Sequence, residues 1–306
     1  PPQKIKVGIP AIRSDHAYRQ MGVKQGFYEE LGVEVEFMQL RGDPLVLKAL
    51  LAQEVDVAEI SIVGVLGAIE TGGDLKILGA YLPRLDLVLF SKKDINSLQD
   101  LYGRSVAHSG DNGLPHAVVL ALLDKYGMDP SKVDFITIGD SGERWRSMLT
   151  GKFDATATTI DRIPEVEADP SLDIKVLANL PQELPNYVQS CIVTSERTLQ
   201  QREPVLTNFL VAYGKAMRYC IEHRDETIAL SAELASLELD QAAFAYDWYK
   251  ENRKINPNFV LPPESVQWMQ EFNTRIGVQQ QVFPIERVLD SGFANKILGY
   301  LGEYKV

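Results

Sequence analysis

The sequence predicts an α/β protein built from two related units, and three observations predict it. The first is alternation. Short apolar strands and helical stretches follow one another through the first two thirds of the chain, which argues for mainly parallel sheets covered by helices on both faces. The second is a repeat. Leu50–Ser61, LLAQEVDVAEIS, reads as helix end, turn, buried strand and loop, and MLTGKFDATATT repeats it 98 positions later. Leu51 falls on Leu149, Asp56 on Asp154, Val57 on Ala155 and Ser61 on Thr159, and upstream Phe37 falls on Phe135. A shift that keeps strand, helix, turn and strand in step points to two copies of one unit. Two such units enclose a cleft, where small ligands bind. The third is a pair of apolar strands, Leu85–Ser91 and Val188–Thr194, that flank the second unit. They read as crossovers, with the helical remainder from Thr198 packing back on the first unit. Two crossovers make a hinge, in which a few residues absorb a rotation while each side stays rigid.

Taken in order, Ile5–Ile9 is a strand and Pro10–Ala17 a polar loop. A helix is expected from about Tyr18 to Leu31, stopped by Gly32 as a C-cap. Val33–Met38 alternates as a strand, and Asp43 is placed as N-cap of a helix with Pro44 at its first position. Strand Val57–Ile60, a small apolar helix Ile62–Thr71 and strand Lys76–Tyr81 complete the unit. The pattern restarts with strand Ser105–His108, helix Leu114–Tyr126, strand Val133–Ile138, helix Glu143–Thr150, strand Ala155–Thr158, helix Arg162–Ala168 and strand Ile174–Leu177. The C-terminal part reads as helices with turns at Pro257, Pro262-Pro263 and Pro284.

Composition excludes several classes. The formal net charge is -11 with no long Lys/Arg patch, which argues against nucleic acid as a partner. No apolar run reaches the ~18 residues of a membrane span. The start PPQKIKVGIP, without Met, is one that a removed export signal leaves. The two cysteines, Cys191 and Cys220, form no CxxC and no metal spacing. They read as buried thiols, with a bridge between them the alternative. No cofactor is implied. Nucleophile-elbow, zinc-protease, P-loop and dinucleotide motifs are all missing, so no catalytic residue is expected. His108 and His116 read as a strand-end and a helix-face residue, not a metal pair.

Several passages resemble the substrate-binding proteins of ABC importers, in the group that takes nitrate, alkanesulfonates, taurine and thiamine pyrimidines. They are KVGIPAIRSDHA, QGFYEELGVEVEF, RGDP before a helix, ALLAQEVDVAEIS, GDLKILGAY, INSLQDLYGRSVA and GKFDATATT. LYGR stands where the group more often has LKGK. No single motif is specific, but the order and spacing are. The resemblance implies a two-lobed periplasmic-binding-protein fold, with residues 1–88 and 193–306 in one lobe and 89–192 in the other. It also implies an extracytoplasmic location, a lipid anchor being the alternative to a free protein. The implied partners are a small solute and a membrane permease, with a monomer suiting that role. Enzymes of the menaquinone and pyrimidine pathways share the fold and form the competing class, although the cysteine cluster of the pyrimidine synthases is missing here.

The group's ligand contacts lie at strand ends facing the cleft. Carried onto this sequence they are Arg13, Ser14, Asp15 and His16, then Gly42 and Asp43, Ser61, Tyr81 and Arg84. From the second unit come Ser109, Asp111 and Asn112, Ser141 and Arg144, Thr159 and Asp161, with Tyr187 before the return strand. Helix N-termini at these places present free N–H donors and a partial positive charge. The competing reading is that Ser, Thr and Asp there are caps, and for Asp43 and Asp111 that reading is the stronger. The arginines suit a carboxylate or sulfonate. The acids would suit the N–H groups of a heterocycle, and Tyr81 and Tyr187 a flat ring. An organic anion, a sulfonate or carboxylate, aliphatic or aromatic, is the expectation, with a neutral heterocycle such as a thiamine pyrimidine precursor as the alternative.

Overall fold

The computed structural model describes residues 1–305. Among these residues ten strands form two five-stranded sheets. The first holds β1 (Gln3–Ile9), β2 (Val33–Gln39), β3 (Val57–Ile60), β4 (Lys76–Gly79) and, from far along the chain, β10 (Cys191–Thr194). The second holds β5 (Leu87–Ser91), β6 (Ser105–His108), β7 (Asp134–Thr137), β8 (Ala155–Thr159) and β9 (Lys175–Asn179). Their orders are β2-β1-β3-β10-β4 and β7-β6-β8-β5-β9. In each sheet the fourth place is taken by an antiparallel strand: β10 lies against β3 and β4, and β5 against β8 and β9.

The two orders are the same, and the 98-residue repeat maps one onto the other. It carries the helix Asp43–Leu51 onto the helix Ser141–Leu149, and β3 onto the start of β8. The shared aspartate explains why the repeat is readable. The Asp56 N–H donates to the Lys6 carbonyl at 2.8 Å while its carboxylate accepts the Lys6 N–H at 2.8 Å. Asp154 makes the same pair of bonds with the backbone of Ser105, at 3.0 and 2.9 Å. One side chain thus pins the entry of the third parallel strand to the first in each sheet, and only a short acceptor serves both bonds.

Two expectations are corrected. The segments Leu87–Ser91 and Val188–Thr194 do not run between the sheets as strands. Each strand they contain is an inner member of one sheet, and the chain passes between sheets through 80–86 and 184–190. The single helix expected over Tyr18–Leu31 is two, Ala17–Lys24 and Phe27–Glu30, because Gly26 takes a left-handed conformation (φ +76°) that ends the first. Cys191 and Cys220 are free and buried, and burial pushes the Cys220 thiol up to about 12, so both act as apolar filling.

The core follows strand alternation. Leu87 and Leu89 of β5 face one apolar cluster, and Val88 and Phe90 face another. Each cluster draws residues from both sheets, so the lobes share their packing near the crossings. A polar knot lies there too. The Gln189 Oε1 accepts the Asp86 N–H at 2.8 Å and the Lys254 ammonium at 2.8 Å. Tyr249 donates to Asp86 at 3.0 Å, and Arg13 stands 3.8 Å from the same carboxylate.

Lys254 is fully buried and has no carboxylate within 4.0 Å among the described residues. Burial lowers its pKa from 10.5 to about 7, against the pull of Asp86 and Asp15. Burying a cation without a paired carboxylate carries a desolvation cost that an apolar side chain of similar length does not. Lys254→Met is therefore expected to melt higher than the wild type at pH 7. The sign of the pH dependence follows from linkage. Between pH 7 and 10.5 the unfolded chain holds the proton that the folded chain has released, so wild-type stability rises with pH. The gap between variant and wild type narrows over that range in a series of calorimetric scans, and a constant gap would mean that Lys254 does not titrate there.

Candidate functional site

Parallel strands bring helix N-termini to one edge of each sheet, and the two edges face each other. The cavity between them encloses about 50 Å³ of water-accessible space. Of the residues singled out from sequence, Arg13, Gly42, Asp43, Ser61, Tyr81, Ser109, Ser141, Arg144 and Thr159 line it. Both sheets contribute to the lining.

The other eight lie outside the cavity, each for a physical reason. Ser14, Asp15 and His16 form a buried turn aimed at the core of the first lobe. There Ser14 meets the Tyr249 hydroxyl at 2.9 Å, Asp15 pairs with Arg19 at 3.0 Å, and the His16 ring meets Phe37 edge-on. Asp161 is turned back to accept the Thr159 hydroxyl at 2.8 Å. Tyr187 packs against Trp268 and Phe272. Arg84 lines separate grooves beside the crossing segments, and Asp111 and Asn112 line a neighbouring groove along the helix Ile62–Glu70.

The cavity also contains Glu59, Asp140, Thr158 and Ser190, which the sequence reading passed over. Two of them carry a signal. Glu59 is a charge in the otherwise apolar strand VAEI, and Asp140 stands three residues before Glu143 as a helix cap. In the structure Asp140 caps the helix Ser141–Leu149, accepting the Glu143 N–H at 2.9 Å.

The charges of the site are unequal in how far they are satisfied. Glu59 is held by Arg19 and by the Tyr213 hydroxyl at 3.3 Å, and Arg19 also donates to Tyr81. Arg13 faces Asp15 at 3.4 Å and Asp86 at 3.8 Å. Arg144 differs. It is 4% exposed, and Nη1 donates to the Gly139 carbonyl at 3.0 Å. Its Nε has no partner, and no carboxylate lies within 4.0 Å among the described residues. Burial lowers its pKa to about 10, so it stays charged at neutral pH. Three more lining residues hold buried atoms without a partner: the hydroxyl oxygens of Ser61 and Ser190, and Oε1 of Glu59. A buried donor left unpaired costs ~1–3 kcal/mol, and more when charged, so the Arg144 Nε is a costly feature of the lining.

A metal fits less well. One candidate atom each from His108, Asp111 and His116 lies within 4.8 Å of the others, and the two imidazoles stack at 4.6 Å. Yet each Nδ1 accepts a backbone N–H, from Gly110 at 3.0 Å and from Asn112 at 3.1 Å. That keeps the ring proton on Nε2, whereas a metal-bound histidine donates from the nitrogen away from the metal.

Comparisons with known proteins agree with the architecture. The alkanesulfonate-binding protein SsuA of Xanthomonas axonopodis superposes with a TM-score of 0.76 at 17% identity, covering 96% of this chain and 98% of that one. The periplasmic nitrate-binding protein NrtA of Synechocystis superposes at 0.80 and 14%, covering 98% and 89%. The desulfurization enzyme DSZB has the same fold at a TM-score of 0.66 and 15% identity, covering 98% and 99%. A Haemophilus influenzae protein named for thiamine biosynthesis is 24% identical over 219 residues, 70% of this chain and 68% of its own length. The fold is thus the two-lobed one of periplasmic binding proteins. The NMT1/THI5-like family model matches residues 13–227, and the chain belongs to that family.

Proposed function

We propose that this protein is the extracytoplasmic solute-binding component of an ABC importer, which closes around one small organic anion, a sulfonate or carboxylate, without chemical change to it. Arg144 carries this reading. It is a buried guanidinium whose Nε has no partner, on a residue that lines a cavity built from both lobes, and a guanidinium grips a two-oxygen acceptor with paired hydrogen bonds. The hydroxyls of Ser109, Ser141 and Ser190 would complete the shell. Ligand contacts from both lobes favour the closed form over the open one by their difference in affinity. The closed protein would be read by a membrane permease.

The small cavity favours a compact ligand over an aromatic one. A neutral heterocycle, such as a pyrimidine, is the second reading. The thiamine-named relative and the Asp43 and Asp140 carboxylates in the lining favour it.

A thermal-shift panel on protein refolded from denaturant separates the two. It would hold short sulfonates, carboxylates, nitrate and pyrimidines. A ligand at 100 times its Kd adds ~2.7 kcal/mol, and the expected hit is a sulfonate or carboxylate. A hit among pyrimidines alone would move recognition to the acids. Arg144→Ala is expected to weaken anion binding more than tenfold, ~1.4 kcal/mol or more, in titration calorimetry. The unliganded variant is expected to be no less stable than the wild type, because a buried unpaired charge is removed. Unchanged affinity would take Arg144 out of the site.

A further inference from the structure

Asp43 begins the helix Asp43–Leu51, yet its carboxylate caps two other helices. Oδ1 accepts the Ser61 N–H at 3.0 Å, at the start of the helix Ile62–Glu70. Oδ2 accepts the Leu114 N–H at 2.7 Å, at the start of the helix Leu114–Lys125. The first helix belongs to the first lobe and the second follows β6 of the second lobe, so one buried carboxylate joins two positive helix ends across the cleft. These are the groups that attract an anion, and the orphan Arg144 lines the same cavity. The neighbouring residues close on the same line. Gly42 has φ +93°, and a Cβ there would stand 2.8 Å from the Ser109 Cβ, so the lobes approach more closely than a side chain allows. Arg41 pairs with Glu143 at 2.8 Å on the outer side.

We propose that Asp43 is a built-in anion. It takes the place of a ligand's charged group at the two facing helix ends, clasps the lobes without ligand, and leaves Arg144 as the place for a single external charge. The proposal rests on the solute-binding reading for its meaning, but the clasp is measurable without any ligand. In the open form Asp43 keeps Ser61 and loses Leu114. A ligand with two charges would bring its second charge against Asp43, which lines the same cavity as Arg144, so the residue sets specificity for ligands with one.

The test uses the full chain stripped of ligand, small-angle scattering, and calorimetric titration with inorganic sulfate as the dianionic probe. Asp43→Asn loses the charge and one acceptor. It is expected to give a larger radius of gyration than the wild type and at least a tenfold gain in sulfate affinity. Asp43→Glu keeps the charge but is a methylene too long for the gap, and is expected to open without the gain. Arg41→Ala, on the exposed side of the clasp, is expected to open the protein to a smaller extent and guards against misfolding of the buried variants. Asp43→Asn that scatters like the wild type, or that opens with unchanged sulfate affinity, overturns the proposal. A wild type blind to every sulfonate and carboxylate, with Asp43→Asn still opening and gaining sulfate, would sink the functional reading and leave this one standing.

Discussion

The constraint on which the rest depends is the parallel pairing of β1, β2 and β3, and of β6, β7 and β8. Parallel strands need crossover helices, so every helix of a unit starts at the same edge of its sheet. Each start leaves N–H groups without intrahelical partners. Two sheets set edge to edge therefore enclose a gap lined by donors. The antiparallel strands β5 and β10 fix the geometry of that gap. Each fills the fourth place of its sheet, and the crossing segments beside them are where the lobes are tied.

Such a gap needs acceptors, and the molecule supplies most of them itself. Asp43 satisfies two helix starts, Asp140 a third, and Ser141 is bonded to Thr158 at 2.9 Å. The deeper charges neutralise one another, with Glu59 on Arg19 and Arg13 facing Asp15 and Asp86. This leaves Arg144 as the cation of the lining with no carboxylate within 4.0 Å among the described residues. A buried guanidinium without a carboxylate partner costs stability, and strongly perturbed charges of this kind cluster at functional sites.

The frame was legible in the sequence because its determinants are local. The repeat rests on Asp56 and Asp154, which bond to backbone within their own units, and strand alternation records which face is buried. The residues at strand ends were also legible as a set, but not their directions. Ser14, Asp15 and His16 sit in the right loop and turn inward, because a short turn there packs them under Tyr249 and Arg19. Asp43 reads as a cap of its own helix, and the sequence contains no trace of Leu114 as its partner, 71 positions away. Partnerships across the cleft depend on how the lobes meet, which no local pattern encodes.

The duplication makes that difference informative. The 98-residue shift sets Asp43 against Ser141 and Gly42 against Asp140, so a carboxylate on one side of the cleft answers a hydroxyl on the other. It also sets Arg144 against Val46. Val46 is fully buried in the apolar core and stands close to Gly8. At the same position of the same helix the second unit buries a guanidinium. An apolar residue is what the packing of that position asks for, as the first unit demonstrates, and Val costs nothing in desolvation. The second unit departs from it only where the helix borders the cavity. The frame is set by what the two units share, and the chemistry of the site by the few positions at which they differ.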